Sequence, residues 1–306
     1  MKSRFSMYSA SRERYGIEFR VGMVALLIAG SAAVPGTPLL AAPAPTNSAE
    51  FAENTSPVRL RGEWCQGHLL RGQAEPGSRA WLNDRALEIT PDGRFVFGFG
   101  RDEAARQTLK VQRPNGETWR HADTPCAREY RIQRIDGLPP SKVTPDESVL
   151  ARIREEGAQA AAARKYIIAD EAVFADFIWP SRGPISGVYG SQRILNGQPR
   201  RPHFGVDVAA PTGTTVVAPA AGIVRLAHPD MYFSGGTLII DHGYGVTSSF
   251  LHLSRIDVEV GQQVEQGDKI AEIGATGRVT GPHLDWRMNW RDVRVDPQPL
   301  VGPMPD

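Results

Sequence analysis

Cysteine is almost absent from this chain of 306 residues, which has only Cys65 and Cys126. Two thiols exclude a four-cysteine zinc site, and neither lies in a recognisable nucleophile motif. A surplus of one charge is missing too. With 35 Lys+Arg against 34 Asp+Glu, nothing in the composition argues for nucleic acid or an anionic membrane surface as partner. The apolar run from Val21 to Val34 falls short of the roughly 20 residues that a membrane-crossing helix needs. Long helical periodicity is scarce. Glycine (31) and proline (24) are abundant, which favours β-structure with many turns. At about 100–200 residues per domain, the length suggests about two domains.

Residues 1–44 have the layout of an export signal: basic Lys2, Arg4, Arg12, Arg14 and Arg20, the short apolar run, then small residues at Ala41-Ala42-Pro43-Ala44. An uncleaved N-terminal anchor is the alternative, and either one exports the body. Residues 45–57 read as a spacer. Residues 58–135 read as a small β-sandwich domain, with Trp81–Ile89 and Arg94–Phe99 as strands around the Pro91-Asp92-Gly93 turn. Cys65 and Cys126, near its two ends, are expected to form a disulfide in an oxidising compartment. Residues 136–178 read as a helical linker: a capping box at Thr144-Pro-Asp-Glu147, then strong helix formers from Ser148 to about Ala169. Residues 179–306 are rich in glycine and in β-branched runs such as Thr214–Val217, Gly222–Leu226, Thr237–Ile240 and Lys269–Ile273. They predict a compact, mostly antiparallel β-domain. The fold class is thus mainly β, with one long linking helix.

The chemistry-bearing residues gather in this last region. His203-Phe-Gly-Val-Asp207 opens it, Phe250-Leu-His252-Leu-Ser254 lies in the middle, and Gly281-Pro-His283-Leu-Asp285-Trp286 closes it. Strand alternation puts His283 and Asp285 on one face and Leu284 and Trp286 on the other. Each motif alone is common by chance; the three in order within one β-domain make a metal-and-base constellation. Asn196, Arg200 and Arg201, just before His203, are candidates for binding substrate carboxylates, with a solvated loop as the equal alternative. His228 and His242 read as structural, and His68 and His121 as ordinary surface or structural residues.

Residues from about 180 to 300 resemble the lysostaphin-type zinc endopeptidases, which cut peptidoglycan cross-bridges. The resemblance rests on His203-x-x-x-Asp207, Gly213–Ala218, Ala221-Gly-Ile-Val224, Ile240-Asp-His-Gly243, His252-Leu-Ser254, Gly261–Asp268, and Gly274-Ala-Thr-Gly277 running into Gly281-Pro-His283. It implies His203 and Asp207 as metal ligands, and His252 and His283 as the residues acting on water or the developing oxyanion. The family's third ligand is the second histidine of an HxH motif. Here that position is Asp285, a competent oxygen ligand that makes the centre less positive and leaves Mn²⁺ or Fe²⁺ as rivals to Zn²⁺. Two functions follow. One is an exported metalloendopeptidase, periplasmic or secreted, acting on peptidoglycan peptide stems. The other is a degenerate domain that binds the wall or regulates another wall hydrolase.

Overall fold

A computed structural model describes residues 56–135 and 147–305. The export segment, most of the spacer and the Thr144-Pro-Asp part of the capping box lie outside them.

Alternating apolar residues build the N-terminal part. Seven strands, β1 (Arg59–Arg61), β2 (Leu69–Gln73), β3 (Arg79–Leu82), β4 (Arg85–Leu87), β5 (Arg94–Gly98), β6 (Gln107–Gln112) and β7 (Thr118–Asp123), make two antiparallel sheets ordered β1-β2-β5 and β4-β3-β6-β7. Phe95, Phe97, Leu109 and Val111 are fully buried in them. The segment 81–89, expected as one strand, is instead a hairpin that folds back at Asn83-Asp84. Asn83 adopts φ 52°, a left-handed conformation that asparagine tolerates. Its side chain is then fastened by Nδ2 to Gln107 Oε1 (2.7 Å) and by Oδ1 to the Thr108 N–H (2.8 Å). The expected disulfide is present: Cys65 and Cys126 are bonded with Cα atoms 4.3 Å apart. Closing a loop across 61 residues of separation stabilises the domain by roughly 4 kcal/mol on the chain-entropy account.

Strand β8 (Ile132–Ile135) precedes helix α1 (Glu147–Ala163). The helix stops six residues short of the expected Ala169. Past the alanine run come Tyr166, Ile167 and Ile168, whose aromatic and β-branched side chains lose rotamer freedom in a helix. The Ile168 carbonyl instead accepts the Tyr244 N–H at 2.9 Å. Glu156 accepts the Tyr232 N–H (2.8 Å), and Arg152 joins it to Asp230. These bonds tie the helix to the C-terminal sheet. No helix among the described residues is long and apolar enough to cross a membrane.

The C-terminal part begins with β9 (Ile185–Gly187), β10 (Gln192–Leu195), β11 (Gln198–Pro199), β12 (Gly205–Ala209) and β13 (Thr215–Val217). It continues with β14 (Gly222–Met231), β15 (Gly235–Asp241), β16 (Val246–Ile256), β17 (Gln263–Val264), β18 (Lys269–Ile273), β19 (His283–Trp290) and β20 (Val293–Val295). The main sheet runs β17-β14-β15-β16-β19-β12-β9 and is antiparallel throughout; β18 pairs with β13 and β16, and β20 pairs with β19. Strand β19 divides the two faces. Leu284, Trp286, Met288 and Trp290 are at most 2% exposed on the core face, and the alternate residues form the opposite, polar face. The mainly β class with one helix between the two β parts therefore holds.

On the core side, His242 is fully buried, with Nδ1 2.7 Å from the Ala221 carbonyl and Nε2 2.8 Å from Ser248 Oγ. Burial pushes its pKa down to about 4. A histidine held neutral in the fold but titrating near 6.5 when unfolded contributes stability in full above pH 6.5. That stability drains away as pH falls from 6.5 to 4, because the unfolded chain takes up the proton first. His242→Gln should therefore cost stability at pH 7.5, with the gap to wild type narrowing by roughly 3 kcal/mol by pH 4. Urea unfolding at both pH values checks this; a gap independent of pH would refute it.

Candidate functional site

Strands β12 and β19 pair so that Asp207 lies directly opposite Asp285. Two carboxylates facing each other across a ladder repel, so the fold needs positive charge there. Room for them comes from two glycines. A Cβ on Gly187 would sit 2.1 Å from Asp207 Oδ2, and one on Gly205 would sit 2.5 Å from Asp285 Oδ1. His203, four residues before Asp207, is held by its backbone: its N–H donates to Ser191 O and its carbonyl accepts from Gly190, both at 2.7 Å. Its Nε2 then lies 3.1 Å from Asp207 Oδ1 and its Nδ1 4.0 Å from Asp285 Oδ2.

One ligand-type atom from each of His203, Asp207 and Asp285 falls within 4.8 Å of the others. His203 Nε2 and Asp207 Oδ1 are both buried and lack a properly directed hydrogen bond. Two buried, imperfectly paired ligand atoms converging on one point are what a divalent cation would satisfy once the imidazole gives up its proton, and bonds of about 2.0–2.2 Å fit donor atoms at this spacing. The three residues fit a metal.

Burial alone would lower the pKa of His203, but the Asp207 contact and then the Asp285 charge override it and leave it raised. A metal here would displace that proton.

His252 and His283 flank the cluster with ring centroids 4.9 Å apart. His252 Nδ1 is 2.9 Å from the Thr276 carbonyl, and His283 Nδ1 is 2.9 Å from the Gly281 carbonyl. Each carbonyl needs a donor, so the tautomer that fits either ring carries its proton on Nδ1 and leaves Nε2 as the lone pair. Those Nε2 atoms point inward, His252 at 4.0 Å from Asp285 Oδ2 and His283 at 3.9 Å from Asp207 Oδ1. Burial lowers the pKa of His252, which keeps it neutral and basic near neutral pH. His252 also has φ 66°, a left-handed backbone that a bulky residue adopts only where its surroundings enforce it.

Arg287 escaped the sequence reading. It stands two residues beyond Asp285 on the same strand face, so the alternation that paired His283 with Asp285 was also the signal for it. Its Nε donates to Asp285 Oδ1 at 2.9 Å and its Nη2 to Oδ2 at 2.5 Å, a two-pronged clamp on a buried carboxylate. Burial alone would raise the Asp285 pKa; Arg287 overrides it and holds the group below the usual carboxylate range. Counted on the ligands alone, aspartate in place of histidine removes one positive charge from the centre. Arg287 restores it. A carboxylate has about four lone-pair positions, so the clamp leaves capacity for a metal.

Asn196 sits at the tip of a hairpin between β10 and β11, with φ 50° there and 73° at Gly197. Asn-Gly is the strongest short hairpin signal, and the segment expected as a carboxylate-binding stretch or a solvated loop is this hairpin. Arg200 donates to Gln198 Oε1 within the hairpin (3.2 Å), and Arg201 is exposed. Neither touches the histidine–aspartate cluster, whose five residues the fold does bring together.

The family model "Peptidase family M23" matches residues 201–297, a span that holds all five of those residues and Arg287. The peptidoglycan DD-endopeptidase ShyA of Vibrio cholerae is 43% identical over 105 residues, 34% of this chain and 24% of its own length. The cell division protein DipM of Caulobacter vibrioides is 32% identical over 127 residues, 42% of this chain and 20% of its own. The chain thus spans only a quarter or less of these curated relatives. A solved peptidase M23 of Pseudomonas aeruginosa matches far more completely: TM-score 0.62 and 30% identity, over 78% of this chain and 96% of that one. A match of that extent takes in the N-terminal sheets as well as the histidine–aspartate cluster, and the chain belongs to peptidase family M23.

Proposed function

We propose that this chain is a metal-dependent endopeptidase that hydrolyses peptide cross-links of bacterial peptidoglycan. The observation that carries the reading is the set of three convergent ligand atoms flanked by two histidines whose Nε2 lone pairs both face the same space. The names of the wall-cutting relatives support the substrate class.

His203, Asp207 and Asp285 would hold one divalent metal, Zn²⁺ first, with Mn²⁺ or Fe²⁺ as rivals because two of the ligands are carboxylates. When bound, the metal supplies Lewis-acid polarisation of the scissile carbonyl. The remaining steps belong to the side chains. His252 Nε2 takes the proton of the attacking water as the oxygen adds to the amide carbon. His283 faces the same space and, in its cationic form with a proton taken from solvent, hydrogen-bonds the developing oxyanion through Nε2–H and keeps that proton throughout. The C–N bond then breaks and His252 returns its proton to the leaving amine. Asn196, Arg200 and Arg201, on and just after the β10–β11 hairpin that precedes His203 in the chain, would meet the carboxylates of a peptide stem. An exported location, periplasmic or secreted, fits the disulfide and the basic-then-apolar layout of residues 1–44.

The second reading, a binder or regulator of another wall hydrolase, draws on one observation. Arg287 already satisfies Asp285 without any metal. The full chain incubated with isolated sacculi, with and without chelator, separates the two. The enzyme releases new amino termini and chelation stops it. Protein that carries no metal and releases none would be the binder.

A further inference from the structure

The polar face of β19 continues past the metal cluster. Ser249 on β16 lies opposite Arg287, and Arg294 on β20 lies opposite Asn289, so these side chains share the face of His283 and Asp285. Arg294 Nη1 donates to Asn289 Oδ1 at 2.8 Å. The chain leaving α1 brings a third guanidinium onto this face, with Arg164 Nη2 donating to Ser249 Oγ at 3.3 Å. Arg287 has Asp285 as its counter-ion. Arg164 and Arg294 have no carboxylate partner among the described residues, and Arg164 Nε is buried without any hydrogen-bond partner.

Two half-buried guanidinium groups without a counter-charge, beside a third, cost the fold stability in solvation and mutual repulsion. Burial first, and then neighbouring arginines, push Arg164 down to about 10 and Arg294 down to about 9. Groups that destabilise the resting protein and lie on the face that carries His283 and Asp285 are placed for a ligand that brings the missing charge.

We infer that Arg164 and Arg294 form an anion subsite next to the metal cluster that receives a carboxylate of the substrate peptide. The planar, forked guanidinium matches a carboxylate, and the two arginines lie level with Arg287 and Asn289, two and four strand residues beyond Asp285, which sets the ligand carboxylate about two to four residues from the cleaved bond. Naming the ligand as substrate rests on the hydrolase reading; the anion binding itself does not.

Calorimetry on the metal-free full chain tests the binding separately from hydrolysis. The probes are an end-blocked tripeptide with a central glutamate and its glutamine twin. The glutamate peptide should bind on the order of tenfold tighter, and more weakly as salt is raised. Arg164→Gln and Arg294→Gln should each reduce that preference, and the double variant should abolish it while the glutamine peptide binds as before. Arg294→Lys retains charge but loses the fork. It should keep part of the preference, and it serves if a glutamine variant fails to fold. Equal binding of the two peptides by wild type overturns the inference. So does a preference that survives in the double variant, or inorganic phosphate binding with the same arginine dependence while the peptides are not distinguished. If the preference is present yet sacculi are never hydrolysed, the hydrolase reading fails and the subsite stands.

Discussion

His252→Ala should slow hydrolysis of wall peptide by roughly 10²–10⁴-fold, the usual worth of a positioned general base, while metal content stays unchanged. The separation of the two readouts follows from the geometry. His252 Nε2 is 4.0 Å from Asp285 and its Nδ1 is committed to the Thr276 carbonyl, so it faces the site without belonging to the converging ligand triplet. The left-handed backbone at this residue requires a control. Asparagine tolerates that conformation better than alanine, so His252→Asn should fold at least as well and be as inactive. Kinetics on a soluble cross-link peptide, with metal analysis of the same preparations, checks this. Loss of metal in both variants would move His252 into the ligand set, and near wild-type rates would give the base to His283.

Much of this site was legible because it is built from strands. The two-residue alternation of β19 placed His283 and Asp285 together before any coordinates, and the β-branched runs marked most of the main sheet. What escaped depended on pairing or on backbone sign. The direct opposition of Asp207 and Asp285 is a matter of register between strands about 80 residues apart, which no local pattern encodes. Arg294 joins the polar face only because β20 folds back on β19, and Arg164 only because the helix ends at Ala163. The hairpin at Asn83-Asp84 is hidden inside an apparent single strand, while that at Asn196-Gly197, expected as a carboxylate-binding segment or a solvated loop, is written in its Asn-Gly turn. The strained φ of His252 has no sequence signature.

The largest coupled effect is expected at Asp285 and Arg287. Asp285→Ala removes one of the three proposed ligands and strands a guanidinium that is now clamped on it, so it should lose metal and reduce hydrolysis by at least about 10³-fold. Restoring the family's second histidine alone should fare little better. In Asp285→His the imidazole supplies a neutral ligand, but Arg287 is left buried beside it without its carboxylate. Breaking a buried pair in this way costs about 3–5 kcal/mol, and the unpaired cation repels an incoming metal. Arg287→Gln alone leaves Asp207 and Asp285 facing each other without the clamp, so metal affinity should hold or rise while the metal-free fold weakens. Combining Asp285→His with Arg287→Gln removes one negative and one positive charge together and leaves a histidine–aspartate–histidine set with no orphan. The double variant should bind metal and recover hydrolysis beyond the sum of the single effects, with a coupling of at least about 2 kcal/mol in a double-mutant cycle. Metal stoichiometry and kcat/KM for all four proteins decide the matter. If Asp285→His is fully active with Arg287 in place, the two residues act independently and the clamp does not tune the centre. If the double variant stays inactive while binding metal, the carboxylate has a role in the reaction that histidine cannot fill.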